Sequence, residues 1–353
     1  MLMRRLLQST AIAVQGSAAM STVAVPNPPP TASEDAESLR KALQGNTELP
    51  LLSSRWRADK ASLIGILCRR TAAQRAAIRR AYAFLYRESL LNCFRYKLSR
   101  HCLLSVDFWK ALILWTMDPA ERDANLVHEA VKKKDKNYIL VLIEVSCAST
   151  PDHLMAVRKI YSKLFSCSIE EDVASSPAFQ EPLKKMLVSL VSSYRYDGER
   201  VDMDVAKLEA AQLSEAIREK QLLHGNEVVR IISTRSKFQL AATFQQYKED
   251  QGRDIIEDIN SQCSDQFCRM LKSAIWCLTS PEKHFAQVIR YSILGLGTYE
   301  DMLTRVIVSR AEIDMKQIKE EYRARYKSAV NLDVASDTSF GYRDMLLALV
   351  ARE

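Results

Sequence analysis

The chain has 353 residues, 47% of them apolar, with only nine glycines and ten prolines, so it can bury a large core and is too poor in breakers to be disordered or fibrous. Fifty Lys and Arg against 43 Asp and Glu leave a formal charge of +7. That diffuse basic excess suits an acidic membrane surface and argues against a nucleic-acid partner, and no run of about 18 apolar residues reads as a bilayer-spanning helix.

The first nineteen residues (MLMRRLLQSTAIAVQGSAA) carry two arginines and no acid. They fit a transit peptide, and equally fit sequence upstream of a start at Met20. The second reading is favoured, because Ser21 onward reads as an extended lead-in whose prolines keep VAVPNPPP out of helix.

From there the chain repeats itself. CRRTAAQRAAIRRAY ends at Tyr82, SCASTPDHLMAVRKIY at Tyr161, STRSKFQLAATFQQY at Tyr247 and VSRAEIDMKQIKEEY at Tyr322. Eleven residues after the last three tyrosines stands an acid, Asp172, Asp258 or Asp333; the first copy has Cys93. A Met-Leu pair follows at Met186-Leu187, Met270-Leu271 and Met345-Leu346. The first copy offers Ala111-Leu112 about six residues late, which implies an insertion near Cys102 to Val106.

Each copy reads as several short amphipathic helices, with apolar residues three and four apart and no sustained alternation. Thr71 with Gln74, and Ser236 with Gln239, fit the capping box. Repeats of this size mean stacked helical units sharing a core. The polar stretch from Ser192 to Asp204 is the best internal linker.

In the last copy, Gly295-Leu296-Gly297-Thr298 is a turn that lets the backbone double back and aim carbonyl oxygens at one point. A carboxylate brought there from Asp337 would complete a site for a hard cation such as Ca²⁺. Thr298, with Asp301 three residues on, also fits a helix N-cap.

Four helical units, one GxGT turn and an acid 39 residues beyond its threonine resemble the annexin family. WTMDPAERD, LVSSYRYDGE, CLTSPEKHF and SRAEIDMKQIKEEY resemble plant annexins in particular, and the resemblance runs from about Ser33 to the C-terminus. It implies an all-α fold of four repeats, each of five short helices, assembled as a curved disc whose convex face binds acidic phospholipid through Ca²⁺. The expected organisation is a lead-in at 1–32, repeats at 33–118, 119–192, 205–279 and 280–353, and a linker at 193–204. Carried over, carbonyls of Ile293, Gly295 and Gly297 and both oxygens of Asp337 would hold Ca²⁺, with lipid phosphate or water completing the shell.

The tyrosine register tests the other copies. The position of Asp337, fifteen residues past the tyrosine, falls on Lys97, Ser176 and Gln262. The turn itself maps to 55–58, 134–137 and 220–223, none of which keeps its glycines. Calcium binding is therefore expected at one end of the chain. Asp59, Asp107 and Asp265 lie near the lost sites but are weak candidates. Trp56, between Arg55 and Arg57, is read either as a lipid contact or as a loop tryptophan beside solvated arginines.

The resemblance also bears on catalysis. The histidine proposed for peroxidase activity in plant annexins is absent from Leu67-Cys68-Arg69-Arg70, and no nucleotide fingerprint or triad occurs. The eight cysteines show no zinc spacing and read as reduced core thiols, including Cys147 and Cys277. The reading is a non-enzymatic protein that binds acidic membranes peripherally from the cytoplasm. It is expected to be monomeric and to associate on membranes. The alternative is a calcium-independent scaffold binding membrane or actin through basic surfaces such as Lys132 to Lys134 and Arg55 to Arg57.

Overall fold

The structure, a computed structural model, describes residues 20–44, 58–100, 106–133, 136–219, 226–262, 264–294 and 297–351. Among these residues there are 20 α-helices and no strand. In the first repeat these are α1 (Ala32–Gln44), α2 (Lys60–Leu67), α3 (Ala72–Tyr86), α4 (Leu90–Arg100) and α5 (Val106–Thr116). Next come α6 (Pro119–Lys132), α7 (Lys136–Ile143), α8 (Pro151–Phe165), α9 (Ile169–Ser175) and α10 (Leu183–Ser192), with a π turn, Glu144–Ala148, after α7. The third set is α11 (Met203–Arg218), α12 (Asn226–Thr234), α13 (Lys237–Gln251), α14 (Ile255–Gln262) and α15 (Gln266–Thr279). The last is α16 (Pro281–Ser292), α17 (Glu300–Arg310), α18 (Met315–Tyr326), α19 (Val330–Asp337) and α20 (Phe340–Val350).

The helices gather into two compact units, one formed by residues up to Pro119 with Phe285 onward, the other by Ala120–His284. In the first unit α5 packs on α17 and α20, and α20 on α2. The second unit repeats the scheme, with α10 on α12 and α15, and α15 on α7. The Met-Leu signature explains itself here. Met186, Leu187, Met270, Leu271, Met345 and Leu346 are all buried, as are Ala111 and Leu112. Each buried Met or Leu among them contributes about 2 kcal/mol by leaving water.

The four tyrosines share a setting. Each is buried, so its hydroxyl needs a partner inside the protein. Tyr161 donates to Asp172 at 2.5 Å, Tyr247 to Asp258 at 2.9 Å and Tyr322 to Asp333 at 2.6 Å. In the first repeat the Tyr82 hydroxyl lies 3.5 Å from the Cys93 thiol and accepts from Arg40, which pairs with Glu88 instead. The spacing shared by the last three copies is thus a hydrogen bond between two helices.

Five residues past each tyrosine the chain leaves its helix in the left-handed region, at Arg87, Ser166, Gly252 and Lys327. Only the third repeat uses the residue suited to that conformation.

The helix starts are mostly as read. Thr71 and Gln74 form a reciprocal capping box. Ser236 accepts from the Gln239 N–H, but the Gln239 side chain turns away to bond both N–H and C=O of Asp202. It thereby pins Asp202 to α13. Arg195, between α10 and α11, is buried and donates to the carbonyls of Ile232 and Arg235 at the end of α12. Of the six residues by which Ala111-Leu112 is late, three extend α4 beyond Lys97 to Arg100, whereas α19 stops at Asp337; the insertion expected near Cys102 to Val106 falls largely on 101–105, outside the described residues.

Candidate metal centre

The GxGT turn joins α16 to α17. At its base the Ser292 hydroxyl donates to the Ile289 carbonyl at 2.7 Å, and the Ser292 carbonyl accepts from the Tyr299 N–H at 2.8 Å. These bonds close a loop over residues 293–298. Tyr291 and Tyr299 bracket it with stacked rings, centroids 5.7 Å apart and planes within 4°. Ile293 opens the loop, Leu294 is exposed, and Gly297 is exposed with φ +105°, a conformation that side chains rarely adopt. Gly295 lies outside the described residues.

Asp337, the last residue of α19, reaches this loop. The Thr298 hydroxyl lies 2.5 Å from Asp337 Oδ2 and 2.8 Å from its carbonyl oxygen. This corrects the capping expectation. The N-cap of α17 is Tyr299, which makes no side-chain cap bond, and Asp301 pairs with Lys110 at 3.2 Å. Thr298 is drawn instead to a carboxylate, because an O–H···O⁻ bond is stronger than a neutral cap. Sequence reasoning missed this contact; a hydroxyl next to the turn glycine was its only signal.

Among the described residues, Asp337 has no Lys, Arg or His partner and its Oδ1 has no hydrogen bond. No three His, Cys, Asp or Glu side chains converge into a metal cluster among them either. A cation here would therefore rely on loop carbonyls plus one carboxylate. That all-oxygen set fits a hard ion such as Ca²⁺ rather than a soft one.

An Annexin family model matches residues 34–102, 209–274 and 284–349. The chain is 42% identical to Annexin D3 of Arabidopsis thaliana over 336 residues, covering 94% of this chain and 99% of that protein. It belongs to the annexin family. The fold agrees. Annexin III superposes with a TM-score of 0.81 at 27% identity, covering 94% of this chain and 96% of that one. Calcium-bound annexin (Sm)1 superposes at 0.75 with 25% identity, covering 91% and 90%. Annexins are known for calcium-dependent binding to phospholipid, bind acidic membranes peripherally and are generally not enzymes. Among the described residues of this annexin no helix is long and apolar enough to cross a membrane.

In this annexin Lys97, Ser176, Gln262 and Asp337 each lie seven residues past the first residue of α4, α9, α14 and α19, so the tyrosine register holds in three dimensions. What stands at each position differs. Ser176 is buried, and its hydroxyl donates to the Val131 carbonyl at 3.2 Å. In the second repeat a hydroxyl standing where the fourth has Asp337 is thus spent on a backbone carbonyl. Gln262 is exposed and Lys97 half-buried. The nearby acids serve local structure. Asp59 caps α2, Asp265 caps α15 and Asp107 lies 3.8 Å from Lys110.

The basic candidates divide. Arg55, Trp56, Arg57 and Lys134 lie outside the described residues. Lys133 is engaged, donating to the Tyr138 hydroxyl at 2.7 Å and sitting over its ring. Burial pushes the Cys68 thiol up to about 12 and raises Cys147, and Cys277 is buried, so these are inert thiols. Cys268 departs from the reduced reading, since it is disulfide-bonded.

Proposed function

We propose that this annexin binds acidic phospholipid membranes in a calcium-dependent way, chiefly through one site in its fourth repeat. The site comprises the carbonyls of Ile293, Gly295 and Gly297 with the carboxylate of Asp337. The observation that carries the reading is the Thr298–Asp337 bond, which holds the carboxylate at the loop without neutralising it. Gly297 turns the backbone there, and the Ser292–Tyr299 bond fixes the base of the loop. Bound Ca²⁺ would supply the positive charge that lets an acidic protein site meet a lipid phosphate. The protein offers only part of a coordination shell, so calcium affinity rises when lipid is present.

The repeats span 33–118, 119–192, 205–279 and 280–353 in this reading, with the linker at 193–204. The protein acts as a monomer on cytoplasmic membrane faces and has no catalytic role. Co-sedimentation with phosphatidylserine vesicles across a calcium titration tests it. Asp337→Ala should remove most of the calcium-dependent binding, and an unchanged titration would refute the assignment.

A further inference from the structure

We propose that Lys97 is a resident cation of the first repeat, holding the phosphate of an acidic phospholipid without calcium at the helix position that Asp337 occupies in the fourth. This rests on the fourth-repeat reading only in taking that helix end to face the membrane. Lys97 and Asp337 lie at the same distance from the starts of α4 and α19, so the two repeats present opposite charges at one place in a common frame. An acid there needs a metal ion to reach a phosphate. A lysine reaches it directly.

The sequence around Lys97 is basic. From Ser89 to Val106 the chain carries Arg95, Lys97 and Arg100 and no acid. The acids on either side are engaged, Glu88 by Arg40 at 3.0 Å and Asp107 near Lys110 at 3.8 Å. Lys97 itself is half-buried, and among the described residues no carboxylate pairs with it and no acceptor takes its hydrogen bonds. Partial burial also lowers its pKa. Two residues away Arg95 is exposed, its guanidinium bonded to Asn92, and Tyr96 is about half exposed, an aromatic ring with a polar tip suited to a headgroup region. Lys97 thus lacks the partner that an anionic headgroup would provide, on a helix that repels cations and attracts such a surface.

Full-length protein is sedimented in EGTA with phosphatidylserine-containing vesicles and with phosphatidylcholine vesicles. Wild type should bind only the former, and release them when salt is raised from about 0.1 to about 1 M. Lys97→Gln should weaken this calcium-free binding about fivefold, the worth of one lysine at an anionic surface, while Lys97→Arg retains it. With Lys97→Gln the calcium-dependent increment should persist, and with Asp337→Ala the EGTA binding should persist. Helical circular dichroism checks that each variant is folded. Absence of wild-type binding in EGTA, or equal binding by wild type and a folded Lys97→Gln, overturns the proposal. Either result leaves the fourth-repeat site to be judged by Asp337→Ala in calcium alone.

Discussion

The Thr298 hydroxyl donates to the carboxylate of Asp337 at 2.5 Å, joining the loop before α17 to the end of α19 across 39 positions of sequence. The bond aims one carboxylate oxygen and leaves the other without a partner among the described residues. Thr298→Val keeps the shape of the side chain and removes the donor. It should weaken calcium-dependent vesicle binding about tenfold, the usual scale for a group that orients a metal ligand. Thr298→Ser should retain binding. Calcium titrations of vesicle co-sedimentation measure both, and a Thr298→Val curve that overlays wild type would dismiss the orienting role.

The left-handed helix ends make a second expectation. Arg87, Ser166 and Lys327 have φ of 52°, 58° and 56°, a region costing a side-chain-bearing residue about 1 kcal/mol or more. Glycine avoids that cost, as Gly252 does at the same place in the third repeat. Replacing Lys327 or Ser166 by Gly should stabilise by about 1 kcal/mol, and Gly252→Ala should destabilise by a similar amount. Thermal unfolding reads the sign directly, and a lower Tm for both glycine variants would contradict the steric account.

Acid sensitivity should centre on Asp123 in α6. Burial opposes its ionisation, but Arg122 at 2.8 Å and His153 at 2.8 Å outweigh that and hold its pKa at about 2. A carboxyl depressed below its unfolded value contributes stability above about pH 4 and loses it as pH falls towards 2. The amount is about 2 kcal/mol. Denaturant unfolding at pH 5 and pH 2.5 should show this loss in wild type, and a correspondingly smaller loss in Asp123→Asn.

The lead-in is anchored at Thr22. Its N–H donates to the Ala311 carbonyl at 2.9 Å and its buried hydroxyl to the Leu349 carbonyl at 2.5 Å. Thr22→Val leaves the latter acceptor unsatisfied, at about 1–2 kcal/mol. Limited proteolysis should then cleave the segment before α1 several-fold faster, with cleavage inside the helices unchanged. Equal rates would show that Thr22 does not hold it.

Much of this protein was legible in one dimension because repetition multiplies weak signals. One tyrosine followed eleven residues later by an acid means little. Three such pairs mark a buried hydroxyl and its acceptor in a repeating core, and the structure supplies the bonds. The loss of the acid at Lys97, Ser176 and Gln262 was legible for the same reason, since the helices kept their register. Partner choice was not legible where two groups compete. Thr298 and Gln239 both satisfied a local capping pattern, yet both side chains turned to groups 37 to 39 positions away. Local spacing describes which hydrogen bonds a turn permits, whereas their relative strength depends on what the fold brings near.

Sequence alone determined the helical periodicity, the fourfold register and the single glycine-bearing turn with its distant carboxylate. These follow from short-range sterics and from burial patterns that recur along the chain. Tertiary structure decided which groups meet: Thr298 with Asp337, Ser176 with the Val131 carbonyl, and Lys97 with no carboxylate among the described residues. Those outcomes depend on distances between helices, and helix packing sets them through the burial of side chains remote in sequence.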